Sequence, residues 1–192
     1  MTTLTTPTEI SGIPSGSYTL DQSHSRIGFV ARHAMVTKVR GAFNDFDASI
    51  VVDADDLTRS SARVTIKTAS IDTRNEQRDA HLRSNDFLAI DENPEITFVS
   101  SEVTPIVSGE DVVLRVTGDL TIKGTTRPVT VDFSYEGTAV DPFGNQRIGF
   151  EGAVVINRKD WGVNWNAALE AGGVLVSEKV TLEFELSAIK SA

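Results

Sequence analysis

The sequence predicts an all-β fold, an eight-stranded antiparallel up-and-down barrel with one short helix between strands 3 and 4. Three observations predict it. Apolar residues recur at every second position in segment after segment, the signature of strands with one dry face. The segments number eight, and several are joined by connections too short for anything but antiparallel neighbours. An open sheet of eight such strands would leave two unpaired edges, which closure removes.

Residues 1–17, rich in Thr, Ser, Gly and Pro, read as a flexible polar tail, and 18–192 as a single barrel domain. The first strand is expected over Ser25 to Met35 and the second over Gly41 to Val52. In the second, Phe43 and Phe46 have opposite parity, which places a bulge or sharp bend at Asn44 and Asp45. Arg63 to Ile71 forms the third. Thr73-Arg74-Asn75-Glu76 then has the Thr-x-x-Glu form of a capping box and predicts a short helix through Arg83, with Asp79 and Arg83 as an i,i+4 pair. Leu82, Phe87 and Leu88 would pin it to the sheet. The fourth strand spans Ile96 to Val103.

The fifth shows the alternation most clearly: Val112, Leu114, Val116, Gly118, Leu120 and Ile122 share one face, with Arg115, Thr117, Asp119 and Thr121 on the other. Gly124 turns the chain into the sixth, where Val129, Val131, Phe133 and Tyr135 alternate with polar residues. Asp141-Pro142-Phe143-Gly144 leads to the seventh, Arg147 to Asn157. An irregular stretch from Arg158 to Gly173 carries both tryptophans, Trp161 and Trp165. Val180, Leu182, Phe184 and Leu186 complete the eighth strand.

With 18 Lys+Arg against 27 Asp+Glu the chain carries a net charge of −9, the wrong sign for a nucleic-acid partner. It has no cysteine, which excludes thiol catalysis, disulfides and thiolate metal sites. No stretch has the composition of a secretory leader or the roughly 18 to 20 apolar residues of a membrane helix, so a soluble, cytoplasmic protein is expected. At eight strands a barrel interior is either filled or just wide enough for one small ligand. Gly28, Gly118, Gly149 and Gly152 within strands, and phenylalanines at inner positions, favour an apolar-lined cavity over a solid core.

Several motifs in order carry a family resemblance. They are Asp21-Gln22-Ser23-His24-Ser25-Arg26-Ile27-Gly28-Phe29 with His33, Val39-Arg40-Gly41-Ala42-Phe43, and Arg78-Asp79-Ala80-His81-Leu82 with Asp86-Phe87-Leu88. Pro94-Glu95-Ile96-Thr97-Phe98, Gly118-Asp119-Leu120-Thr121-Ile122-Lys123-Gly124 with Arg127-Pro128-Val129, and Asn157-Arg158-Lys159-Asp160-Trp161-Gly162 follow. Together they resemble the YceI-like family of lipocalin-like bacterial polyisoprenoid-binding proteins, over roughly Gly16 to Lys190. The resemblance implies a closed barrel whose pore holds a long lipid, such as a polyprenyl chain or a quinone-like molecule, often in a homodimer. It implies no enzymatic reaction, and the exported habit of many members contrasts with the absence of a leader here.

The expected contact residues for such a ligand are Ile27, Phe29, His33, Phe43, Ile66, Arg78, His81, Phe98, Leu114, Val116, Phe133, Phe150, Val154, Trp161 and Trp165. Arg78 and His81, three apart on one helix face, could hold a polar or anionic head group or could simply pair with neighbours. Trp161 and Trp165 suit a plug at a barrel end, where large aromatics supply apolar area. Of the three histidines, His24 braces the first strand, His33 sits at the rim and His81 packs under the helix. No catalytic residues, metal site or cofactor are expected, since no spacing suits metal ligation and no nucleophile elbow is present. Two other functions stay open: an enzyme acting on a sequestered apolar substrate, with His33 or His81 as acid–base, and a ligand-free interaction or stress protein.

Overall fold

The computed structural model describes residues 12–191. Eleven strand segments make one antiparallel sheet: β1 Gly16–Leu20, β2 Arg26–His33, β3 Thr37–Phe43, β4 Phe46–Val52, β5 Ser61–Lys67, β6 Ile71–Asp72, β7 Glu95–Ser108, β8 Asp111–Ile122, β9 Thr125–Val140, β10 Gln146–Asn157 and β11 Lys179–Lys190. Two of the expected strands are each broken once, and β1, which was not expected as a strand, precedes the expected first one. β1 and β2 are separated by a 3₁₀ turn at Gln22–His24, β3 and β4 by the kink at Asn44 and Asp45, and β5 and β6 by a 3₁₀ turn at Thr68–Ser70. Joined across these breaks, the segments are eight strands. The sheet closes because β11 pairs with both β10 and the β1–β2 strand: Leu182 lies opposite Phe29 on β2, and Ile189 opposite Thr19 on β1.

The breaks let one strand serve two neighbours as the sheet coils. Across the first, the Asp21 carboxylate accepts the Ser23 N–H at 3.0 Å, and the Asp21 N–H reaches Ser187 O at 2.9 Å. Across the second, Asn44 N–H donates to Ser70 O at 3.2 Å and Lys67 N–H to Asp45 O at 2.9 Å. The backbone polar groups therefore stay paired where the ladder is interrupted. Between Lys123 and Gly124, both at positive φ, β8 turns into β9.

The barrel begins earlier than the expected tail boundary at Ser17. Gly16 and Ser17 already pair with Val52 and Val51 on β4, and Ile13 is buried in the core. Residues 1–11, the rest of that tail, lie outside the described residues. Tyr18 is fully buried, and its hydroxyl donates to Pro14 O at 2.8 Å, which fixes the chain's entry into the sheet.

The helix, α1, spans Glu76–Arg83, and its cap differs from the expected Thr73 box. Asn75 is the cap, accepting the Arg78 N–H at 2.9 Å. Thr73 is engaged elsewhere: the buried Asp79 carboxylate accepts its N–H at 2.9 Å and its hydroxyl at 2.5 Å. Asp79 consequently does not pair with Arg83, whose guanidinium instead donates to Ala69 O and Ile71 O at 3.0 Å. Backbone carbonyls at the end of β5–β6 are nearer to Arg83 than the side chain one turn back, and they tie the helix to the barrel.

Candidate ligand-binding site

One face of every strand is hydrocarbon, and closure turns those faces toward one another. The result is an apolar cavity of about 290 Å³ inside the barrel, at the small end of the roughly 300–1,000 Å³ range of small-molecule sites. It reaches from Ser60 and Ser61, at the end where β4 turns into β5, to Arg158, Trp161 and Val163 at the opposite end.

Of the expected contact residues, Ile27, Phe29, Phe43, Ile66, Phe98, Leu114, Val116, Phe133, Phe150, Val154 and Trp161 line this cavity. His33, Arg78, His81 and Trp165 do not line it. His33 ends β2 and is exposed. Arg78 spends its Nε on Thr73 Oγ1 at 2.7 Å and an Nη2 hydrogen on Thr73 O at 2.8 Å, so it braces the entry to α1. The His81 ring stands edge-on to Trp165 at 4.6 Å and to Phe87 at 5.0 Å, while its Nε2 meets Asp86 Oδ2 at 2.8 Å. Phe87 lines the cavity, so this aromatic stack forms an outer layer over its upper end.

Trp161 is the inner closure of that end. It sits in a 3₁₀ turn at Arg158–Trp161, is 3% exposed, and donates its indole N–H to Leu120 O at 2.9 Å. Burying an indole is favourable only if its N–H finds an acceptor, and the β8 carbonyl supplies one.

The strand glycines shape the lumen in a way that alternation alone does not reveal. A β-carbon on Gly118 would lie 2.5 Å from the Phe98 ring, and one on Gly152 would lie 2.9 Å from the Phe133 ring. The missing side chains let the two rings lie against the wall instead of projecting across the cavity. Gly149 has more room, its nearest neighbour being Glu136 Cβ at 3.6 Å. Phe133 then meets Phe184 at 5.7 Å between ring centres.

Arg158 is the charged lining residue that the sequence reading of the site missed. It lines the cavity, is 6% exposed, and has no carboxylate in ion-pair contact among the described residues. Its guanidinium donates to Ser177 O at 2.9 Å, Val163 O at 2.7 Å and Val176 O at 3.3 Å, and burial pulls its pKa below the usual arginine value. These bonds gather the two ends of the 162–178 loop over the barrel. Nothing in the local pattern marks an arginine for burial; its place in the Asn157-Arg158-Lys159-Asp160-Trp161-Gly162 motif was the available signal.

The polar cluster around Asp21 lies outside the cavity. Ser23 Oγ at 3.0 Å and Asp21 Oδ2 at 2.7 Å both approach the same His24 nitrogen, Nδ1. A relay from acid through imidazole to nucleophile needs the two ring nitrogens to serve different partners. Here Asp21 also holds the Arg147 guanidinium at 2.7 Å, and Asp141 holds it from the other side at 2.8 Å. Hydrogen bonds from Ser23, Arg147 and His24 hold the Asp21 carboxyl well below the usual carboxylate range.

Fold and cavity together define a class: closed antiparallel barrels whose strands enclose a hydrocarbon-lined space of small-molecule size. Within that class the chain belongs to the YceI-like family, since the family model of the YceI-like domain matches residues 18–188. A UPF0312 protein of Staphylococcus epidermidis is 43% identical over 172 residues, covering 89% of this chain and 95% of its own. UPF0312 proteins of Staphylococcus aureus are 41% identical over 173 residues, with 90% and 95% covered. Among solved structures, Burkholderia cenocepacia BcnA superposes with a TM-score of 0.75 at 27% identity, covering 88% of this chain and 98% of that one. The Campylobacter jejuni YceI protein gives 0.71 at 28%, with 84% and 90% covered. A polyisoprenoid binding domain from Saccharophagus degradans shares the fold, at a TM-score of 0.69 and 16% identity, over 93% of this chain and 100% of its own.

Proposed function

We propose that this protein takes one long apolar molecule, a polyprenyl chain or a quinone-like lipid, into the barrel and sequesters or carries it through water. The observation that carries this reading is the cavity itself, walled mainly by aliphatic and phenyl side chains from Leu20 to Leu186. A ligand there gains from hydrocarbon burial along its length, and each five-carbon unit contributes roughly 4 kcal/mol gross at about 0.8 kcal/mol per CH₂. About eight units would pass the practical affinity ceiling of about −18 to −21 kcal/mol, so cavity length rather than raw affinity should select chain length. The name of the Saccharophagus degradans domain, a protein alike in fold, supports the ligand class.

Native mass spectrometry of the purified protein, before and after incubation with prenols and quinones of graded length, tests the proposal. One bound chain per barrel is expected, with retention passing through a maximum at intermediate length. An unchanged apo mass after every incubation overturns it.

A further inference from the structure

The hairpin joining β2 to β3 departs from what such turns prefer. His33 lies opposite Thr37, leaving a three-residue loop in which Val36 N–H donates to His33 O at 3.0 Å and Ala34 and Met35 have φ of 50° and 61°. Turns with two positive φ values are the province of Asn-Gly and Asp-Gly, because a β-carbon is strained in the left-handed region. This chain instead places alanine and methionine there, and leaves Met35 62% and Val36 76% exposed. One step below the tip, Arg32 and Lys38 stand directly opposite each other, an unfavourable like-charge pair. Neither has a carboxylate partner among the described residues.

Strain, exposed hydrocarbon and unpaired positive charge therefore coincide on one tip. Such a combination suits a surface that is apolar inside and anionic outside. The tip is also continuous with the cavity wall. Ala34 N–H donates to Leu175 O at 2.7 Å and Ser177 N–H to Arg32 O at 3.0 Å, and the cavity-lining Ala31 and Val176 lie on these same two segments. At the far end of the barrel Phe143, 89% exposed, sits in the 141–145 turn, where the Asp141 carboxylate is paired with Arg147.

We propose that the β2–β3 tip is a docking element for an anionic lipid bilayer, with Met35 and Val36 entering the interface while Arg32 and Lys38 meet the headgroups. Docking this way would bring the Arg158 end of the cavity to the membrane and point the 141–145 turn away from it. The inference is independent of which molecule fills the lumen.

The absence of cysteine allows a single labelled position to report on it. Met35→Cys and Phe143→Cys, each carrying an environment-sensitive fluorophore, would be mixed with phosphatidylcholine vesicles with and without phosphatidylglycerol. The label at position 35 should brighten and shift to the blue only with phosphatidylglycerol, and the effect should collapse at about 1 M salt, where screening acts within about 3 Å. The label at position 143 should not respond. Each of Arg32→Glu and Lys38→Glu should weaken vesicle partitioning at least about fivefold, at about 1 kcal/mol per basic residue. In the unlabelled protein, Ala34→Asn with Met35→Gly should raise the melting temperature while lowering vesicle binding, which separates docking from misfolding. An unresponsive label at position 35, an equal response at position 143, or a shift that follows protein concentration without vesicles would overturn the proposal; the last would assign the tip to a second copy of the chain.

Discussion

The Phe98 ring lies so closely over Gly118 that a β-carbon on the glycine would come within 2.5 Å of Cζ. The two residues sit on neighbouring strands, β7 and β8, with Phe98 opposite Leu120 and Ser100 opposite Gly118. The cavity therefore owes part of its width to a missing side chain. Gly118→Ala would force the ring off the wall and should destabilise the fold by about 1–3 kcal/mol, the usual cost of overpacking. Chemical denaturation measures that loss, and adding Phe98→Ala should relieve the contact with the ring but not the equally close one with Val99 O, so the double variant's loss should fall only partly short of the sum of the two single losses.

Ala62 lines the Ser60–Ser61 end of the cavity, in register with Ile50. Ala62→Phe should shorten the space from that end. The longest prenol retained by the protein should then be shorter than for the unaltered chain, while short prenols still bind. Competition among prenols of graded length, read by native mass spectrometry, checks it.

Arg158→Met would remove the donors that hold Val163, Val176 and Ser177. A buried acceptor left unsatisfied costs about 1–3 kcal/mol. Amide exchange should accelerate across 162–178 and stay slow in β8 and β9. Arg158→Lys should rescue only part of the protection, because an ammonium cannot reach three carbonyls in the planar geometry of a guanidinium.

The Asp21–Arg147–Asp141 bridge predicts the acid limb of stability. Burial would raise the Asp141 pKa, but hydrogen bonds from Asn145, Arg147 and Phe143 outweigh it and lower the value to about 2. Asp21 lies lower still, its charge favoured by Ser23, Arg147 and His24. A carboxyl depressed in the folded state binds fewer protons than in the unfolded chain. Its contribution is thus complete above the ordinary aspartate pKa of about 4 and is lost as pH falls through the folded value. The melting temperature should drop between about pH 4 and pH 2, and Arg147→Gln should lower it at neutral pH while flattening that drop.

The hairpin tip makes a prediction about stability separate from membranes. Left-handed backbone costs a non-glycine residue roughly 1–2 kcal/mol, and Met35 holds a φ of 61°. Met35→Gly also gives up the thioether's contact with Gly173, so it should stabilise the fold by less than that, read as a shift in denaturation midpoint.

Alternation along the chain placed the eight strands, without the β1 segment that opens the first, and most of the inward set. Val112 to Ile122 and Val180 to Leu186 reappear as β8 and β11 with the expected faces on the cavity. The side-chain period of a strand is two, so local sequence alone decides which residues meet the lumen. The opposite parity of Phe43 and Phe46 likewise marked the break at Asn44 and Asp45.

Tertiary structure decided what depends on partners far apart in sequence. Thr73 was legible as a cap, but Asp79 captured its N–H and hydroxyl, leaving Asn75 to begin α1. His81, Phe87 and Trp165 come together only because α1 and the 162–178 loop cover the same barrel end. Arg158 is polar by composition and buried in fact, since three backbone carbonyls supplied by the returning loop solvate its charge. Strand faces follow from a local period, whereas a buried charge is tolerable only where the closed fold delivers its acceptors.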